Sequence, residues 1–403
     1  MKQSNLYIKI ANLSLIILLS FSALSYHPMF ANFVTESDAA NPLSKYISFT
    51  AVLALALHIK VKEWFASAFI RKFVLFGVFS FAMYFVLLIF FQTSENSDVK
   101  NVFMALTFIL IGYSSRLSQK GWVMALLCYS IVVLYSTMMQ IMQNLGGFVI
   151  QDLYLQYGKN QLGLITASVA IATCFRGLTE KNKKLMFILL LIACLALVFT
   201  ITIRARAAFI STFMILSLLI YKKFKMIKSN SAKPFIVVFI VLAIISVLCL
   251  DSVNNYIVSS FTQNQGTDIT SGRLERNAIA INIISESPLL GNLLLVESYP
   301  SVHNYLLRIL SSYGFIGAIF LVCLYIYFAV YSIRHMVNSK LDFNKIGYFI
   351  ILLPFILSME EPTYPYAPGT AVIFPFVLFG YSLKKEYEIK NINGVSAHIE
   401  KEQ

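Results

Sequence analysis

Apolar runs of about 17–23 residues, each long enough to cross the hydrocarbon core of a bilayer as a helix, recur along the whole chain. Short loops bearing lysine and arginine separate them. With 58% apolar and 13% charged residues over 403 positions, and a mean hydropathy of +0.74, the chain is no ordinary water-soluble globule. Membrane strands would be shorter and would alternate in polarity, so the runs are read as helices. They are expected near 8–26, 43–59, 73–91, 100–115, 121–142, 160–175, 184–203, 206–221, 234–250, 304–332, 344–358 and 367–383. The expected fold is an all-α integral membrane protein of about 12 transmembrane helices, a single polytopic domain over residues 1–403. A large external loop, 251–303, lies between spans 9 and 10 and carries a short amphipathic helix.

The cations decide the expected orientation. Lys60/Lys62/Arg71/Lys72, Arg116/Lys120, Arg176/Lys181/Lys183/Lys184, Lys222/Lys223/Lys225/Lys228/Lys233, Arg334/Lys340/Lys345 and Lys384/Lys385 fall in alternate loops. With the terminal segments they hold about 24 of the 32 lysines and arginines, which marks that side as cytoplasmic and puts both termini there. The net charge of +13 is therefore a topology signal and implies no nucleic-acid partner. All five cysteines fall inside apolar runs without metal-ligand spacing, so neither a disulfide framework nor a zinc site is expected.

The opposite face is net acidic, yet five of its roughly eight cations are arginines: Arg204, Arg206, Arg273, Arg276 and Arg308. A guanidinium offers a planar fork suited to phosphate; the plainer reading is that such side chains snorkel to lipid headgroups. In the long external segment, Thr270-Ser271 reads as a helix start, and the helix stops before Pro288. Leu274, Ala278 and Ile281 form its apolar stripe, with Arg273 and Asn277 on the flank and Ile279 and Ile283 on the far side, near Arg276. Downstream come Pro288-Leu-Leu-Gly291 and then His303-Asn304 at the mouth of span 10. A histidine there is a candidate base, although one beside a helix start can also simply cap it. Gly314 and Gly317 are expected to let span 10 pack closely on a neighbour. Glu360-Glu361, before Pro362, is the acidic pair of this face and a candidate for binding acceptor sugar.

The ordered set Ser271-Gly-Arg273, Pro288-Leu-Leu-Gly291, His303-Asn304 and Gly314-Phe-Ile-Gly317 resembles the signature of the O-antigen ligase and polymerase superfamily. Arg204-Ala-Arg206-Ala-Ala, between spans 7 and 8, is similar to that family's arginine-plus-small-residue motif, and the likeness covers roughly residues 155–320. It implies a bacterial inner-membrane enzyme that handles undecaprenyl-diphosphate-linked oligosaccharide, with its site facing the periplasm or exterior. By the same resemblance Arg206, Arg273 and His303 are catalytic, with Arg204, Arg276 and Asn304 binding substrate. Tyr157-Gly-Lys159-Asn160-Gln161 resembles a segment of surface-polysaccharide polymerases, which adds Lys159 and Asn160 to the substrate-binding set and favours polymerase over ligase. Asn160 and Gln161 could instead just hydrogen-bond between helices.

Guanidinium groups can neutralise a departing diphosphate without a metal, and no Asp-x-Asp site occurs on the external face, so no metal and no cofactor are expected. Membrane lipids and a chain-length regulator protein are the further partners this reading allows. The alternatives are a ligase that transfers glycan to lipid A core, and a twelve-span transporter or lipid-linked-sugar flippase. Transporters of this size usually show two similar halves with polar or broken helices at midmembrane; here no repeat is evident and polar groups gather at the outer edge. The orientation is testable without any activity. In a cysteine-free background, Asn264→Cys should react with an impermeant thiol reagent in intact cells, whereas labelling at Lys225→Cys in its place would reverse the topology.

Overall fold

The computed structural model describes residues 2–30, 42–58, 61–91, 97–143, 159–203, 205–226, 273–294, 302–338, 340–361, 364–366 and 370–402. The expected ninth span (234–250), Arg204, Ser271-Gly272 and most of the 251–303 segment lie outside them. In order the α-helices are α1 (Lys2–Leu24), α2 (Pro42–His58), α3 (Val61–Ala66), α4 (Ala68–Phe91), α5 (Ser97–Ser114), α6 (Gln119–Gln143) and α7 (Lys159–Thr179). They continue as α8 (Lys183–Thr202), α9 (Arg206–Met226), α10 (Arg273–Glu286), α11 (Tyr305–Asn338), α12 (Ile346–Ile350), α13 (Leu352–Leu357) and α14 (Ile373–Glu402). No strand occurs among the described residues. Seven helices (α1, α4, α6, α7, α8, α9 and α11) have segments long and apolar enough to cross a membrane, and Phe343–Leu357 is a shorter apolar stretch. The protein is thus a multi-pass helical membrane protein; the count of twelve rests on the sequence.

These helices are apolar nearly all round, as expected of segments that meet lipid on one side and other helices on the other. Polar residues act at their ends: Asn182 caps α8 by accepting from the backbone N–H groups of Lys184 and Leu185 at 3.0 and 3.4 Å. Burial separates centre from rim. The span in α7 is 83% buried against 22% for α8, so α7 runs through the middle of the bundle. A methyl group at Gly112 of α5 would lie 1.9 Å from the Val377 carbonyl, and one at Gly380 of α14 would lie 2.0 Å from the Ile109 carbonyl. That pair of glycines lets α5 and α14 touch backbone to backbone, the small-residue packing that dispersion favours where no hydrophobic force drives helices together.

The bundle has two chemically different ends. At one, lysines close the helix termini: Lys222 Nζ donates to the Val337 carbonyl at 2.9 Å, Lys223 Nζ to Leu178 at 2.6 Å and Lys384 Nζ to Ser115 at 2.5 Å. At the other, Tyr26 Oη donates to Gln161 Oε1 at 3.2 Å and Asn160 Nδ2 to Glu361 Oε1 at 2.6 Å. At this second end Arg308, in the first turn of α11, also pairs with Asp98 in the first turn of α5; Asp98 is only 4% exposed and accepts from Tyr313 Oη at 3.2 Å. Arg308 is therefore tied into the bundle by a buried partner, the usual condition for a charge among apolar helices.

α11 is broken at Gly314, whose φ of 60° and ψ of −174° no helix contains. The N–H groups of Phe315 and Ile316 lose their helical acceptors and donate instead to the carbonyls of Pro288 and Leu289, at 2.9 and 3.1 Å. Within an apolar bundle such donors must be satisfied by protein. The fit leaves no room for side chains: a Cβ at Gly314 would lie 2.3 Å from the Leu289 carbonyl, and one at Gly291, also at φ 60°, 2.5 Å from the Ser311 oxygen. Gly317 packs closely on a neighbour as expected, against Leu87 of α4. Gly314 does something else: it admits the loop backbone. Gly314→Ala should therefore lower the melting temperature in detergent markedly, since backbone strain of this kind costs about 1–3 kcal/mol before the steric clash is added. An unchanged melting temperature would refute the insertion.

Candidate functional site

The segment docked at Gly314 positions α10. Its inward face carries Arg273, Arg276, Asn277 and Ala280, a stripe at helical spacing, with Ala280 fully buried. The apolar stripe read from the sequence faces the other way: Leu274 is 69% and Ile281 51% exposed. α10 thus turns its arginines towards the bundle and its leucine and isoleucine outward, the arrangement of a helix bedded in a membrane interface.

Arg273 is held by both acids of the 360–361 pair. Its Nη1 lies 2.9 Å from Glu360 Oε2 and its Nη2 3.1 Å from Glu361 Oε1. The same Glu361 oxygen accepts from Asn160 Nδ2, so residues 160, 273 and 361 meet at the first turn of α7. Tyr364 Oη donates to the Asn160 carbonyl at 3.2 Å and fixes that turn from the other side. Arg206, half-buried, is the first residue of α9. Its neighbours Ala205 and Ala208 pack on Gly163, where a Cβ would lie 2.5 and 3.0 Å from their Cβ atoms. Arg206 and Arg273 therefore reach the same end of α7 from different helices. Lys159 opens α7 and is described by its backbone alone.

Arg276 Nη1 lies 2.5 Å from His303 Nε2. A guanidinium can only donate, so Nε2 accepts and the ring proton sits on Nδ1. That Nδ1 is buried and, like Oδ1 of Asn277, has no hydrogen-bond partner among the described residues. Burial, and after it the charges of Arg273 and Arg276, hold the His303 pKa below the ordinary histidine value. The imidazole is neutral at pH 7. Asn304 caps α11, with Oδ1 accepting from the Leu307 N–H at 3.1 Å, while its Nδ2 donates to the Met359 carbonyl at 3.2 Å. The Tyr305 N–H donates to the Ser358 carbonyl at 2.9 Å, so the His303-Asn304 corner and the Glu360-Glu361 corner are stapled together.

Of the expected site residues, the structure joins Arg273 with Glu360 and Asn160, and Arg276 with His303. Arg206 lies at the same end of the bundle, and Asn304 serves as a cap with both ends of its amide engaged by protein. The expected acidic pair is engaged through both members, since Glu361 as well as Glu360 holds Arg273. Asn277, expected on the same flank of the helix as Arg273, lies on that face one turn further on. Among the described residues, no group of three or more His, Cys, Asp or Glu side chains could hold a metal ion.

No protein-family model matches the chain, and no curated protein matches it. The geometry alone describes the site: two guanidinium groups, a neutral imidazole, two carboxylates and a carboxamide at one end of a membrane bundle. Replacing Arg276 with Gln removes one of the charges that depress His303. The half-point of diethylpyrocarbonate modification at His303, read peptide by peptide in the mass spectrometer, should then move to higher pH. An unmoved half-point would separate the histidine electrostatically from Arg276.

Proposed function

We propose that this protein is a metal-independent membrane glycosyltransferase that polymerises undecaprenyl-diphosphate-linked oligosaccharide units into O-antigen or a related surface polysaccharide. The observation that carries this reading is the convergence of residues 160, 273, 276, 303, 360 and 361, remote in sequence, on one end of a lipid-embedded bundle. Such an end is accessible both to a lipid-anchored donor and to aqueous glycan. In the proposed orientation it faces the periplasm or exterior, with the lysine-bearing end and both termini in the cytoplasm.

In the reaction the acceptor hydroxyl oxygen forms a bond to the anomeric carbon of the donor. The bond from that carbon to the diphosphate oxygen breaks, and undecaprenyl diphosphate leaves with the electron pair. Arg273 and Arg206 bind the diphosphate and stabilise its growing charge through charge-assisted hydrogen bonds. Donor phosphate displaces Glu360 and Glu361 from Arg273, and the released carboxylates accept from sugar hydroxyls. Arg276 turns from the imidazole to the diphosphate, which uncovers the Nε2 lone pair. His303 Nε2 then takes the acceptor proton, a role suited to a base that stays neutral near pH 7. Asn160, joined to Glu361, belongs to the segment that resembles surface-polysaccharide polymerases, and that resemblance favours polymerase over ligase.

Purified protein with lipid-linked oligosaccharide tests the roles. Arg206→Ala and Arg273→Ala should nearly abolish product, since each charged hydrogen bond lost costs about 1.5–3 kcal/mol, and lysine should rescue only in part. His303→Ala should lower turnover by about 10²–10⁴-fold while donor binding persists. Substantial turnover in His303→Asn, with the wild-type acid limb of the pH profile, would sink the base assignment.

A further inference from the structure

At the lysine-bearing end, far from the site just described, α4, α11 and α14 border an open, groove-like cavity of about 910 Å³. Its lining changes character along its length. Phe76 and Ile326 form its inner wall; Lys72 and Arg334 stand at its mouth. The sequence positions give the depth. Lys72 is one helical turn before Phe76 near the start of the span Ala68–Phe90, and Arg334 is two turns beyond Ile326 near the end of Tyr305–Asn338. The cavity therefore runs from headgroup level into the hydrocarbon layer, cationic outside and apolar within.

Lys72 Nζ stands 5.2 Å above the Tyr327 ring, a cation–π contact that holds the ammonium where the apolar wall meets the mouth. Arg334 is exposed and makes no ion pair among the described residues. The one acid that lines the cavity, Glu386, is already engaged by Tyr348 Oη at 2.5 Å, His335 Nε2 at 3.2 Å and Lys345 Nζ at 3.9 Å. His335 is itself clamped between the rings of Tyr331 and Tyr348, at 4.0 and 5.0 Å. The acid is thus compensated within the protein, and the mouth presents net positive charge. A second cavity of about 450 Å³ shares Arg334, His335 and Glu386 and adds Lys340, Lys345 and Asp342, so it carries both signs and leaves the positive charge of the mouth to Lys72 and Arg334.

We infer that this groove is a specific site for an anionic phospholipid, with the phosphate between Lys72 and Arg334 and an acyl chain along Phe76, Ile326 and Tyr327. A soluble anion would use the cations and leave the apolar wall without a role; a zwitterionic lipid would use the wall and leave the cations unmatched. Only a ligand with both parts matches the gradient, and basic pockets between transmembrane helices bind such headgroups. The inference does not depend on the proposed reaction or on which leaflet the groove faces.

The test uses the full-length protein in detergent, with dioleoyl phosphatidylglycerol or dioleoyl phosphatidylcholine added and bound lipid counted by native mass spectrometry. The anionic lipid should be retained more tightly, by roughly fivefold for each cation engaged. Lys72→Gln combined with Arg334→Gln should erase that preference, while Lys183→Gln combined with Lys184→Gln should keep it. A photoactivatable phosphatidylglycerol, used with the unsubstituted protein, should cross-link to Phe76, Ile326 or Tyr327. Equal retention of the two lipids, an unchanged preference in the Lys72/Arg334 variant, or cross-links confined to other helices would each overturn the site.

Discussion

The carbonyls of Pro288 and Leu289 complete a helix that their own segment does not belong to. α11 breaks at Gly314, and in an apolar bundle the N–H groups released by that break need acceptors. The loop supplies them, and in doing so is fixed at a depth and angle it could not hold by side-chain packing alone. Everything at the candidate site follows from this joint. It anchors the C-terminal end of α10, and α10 then presents Arg273 and Arg276 inward. The same α11 begins at His303-Asn304, so one broken helix sets the positions of both the arginines and the imidazole.

The electrostatics at that end are arranged around exchange. Arg273 is balanced by Glu360 and Glu361, and Arg276 rests against a neutral ring. Each of these contacts is a charged or polar bond that a diphosphate could replace with a stronger one. On the proposed reading, ligand binding releases two carboxylates and one imidazole lone pair at the moment when acceptor hydroxyls need them. The Arg308–Asp98 pair shows the contrasting case. Its acid, Asp98, is buried and shared with Tyr313, and the pair ties α5 to α11, so at the same end of the bundle Arg308 holds the frame while Arg273 and Arg276 meet exchangeable partners.

Much of the frame was legible in the sequence because length and apolarity are local properties. The runs at 73–91, 121–142, 184–203 and 304–332 correspond to α4, α6, α8 and α11. The importance of Arg273, Arg276 and His303 was also legible, since ionisable groups next to such runs are costly unless they have a role. The facing of α10 was not. Amphipathic reasoning for a soluble helix puts Leu274 and Ile281 inside, but beside a membrane the apolar stripe has lipid as its partner and the polar face has the protein. The role of Gly314 was hidden for a different reason: a glycine suited to close helix contact and one suited to a break have the same sequence signature.

By itself, the sequence determined that the chain is a helical membrane protein, that its cations gather in alternate loops, and that a small polar set near residue 300 departs from the apolar background. These conclusions rest on transfer energies and helix length, which each segment carries alone. Only the tertiary structure decided that Glu361 and Asn160 join Arg273, that Arg276 covers Nε2 of His303, and that Lys72 and Arg334 share one groove. Such pairings depend on which helices are neighbours and how each is rotated, and those are set by close backbone contacts, at Gly112 with Gly380 and at Gly314 with Leu289, whose partners lie far apart in the chain.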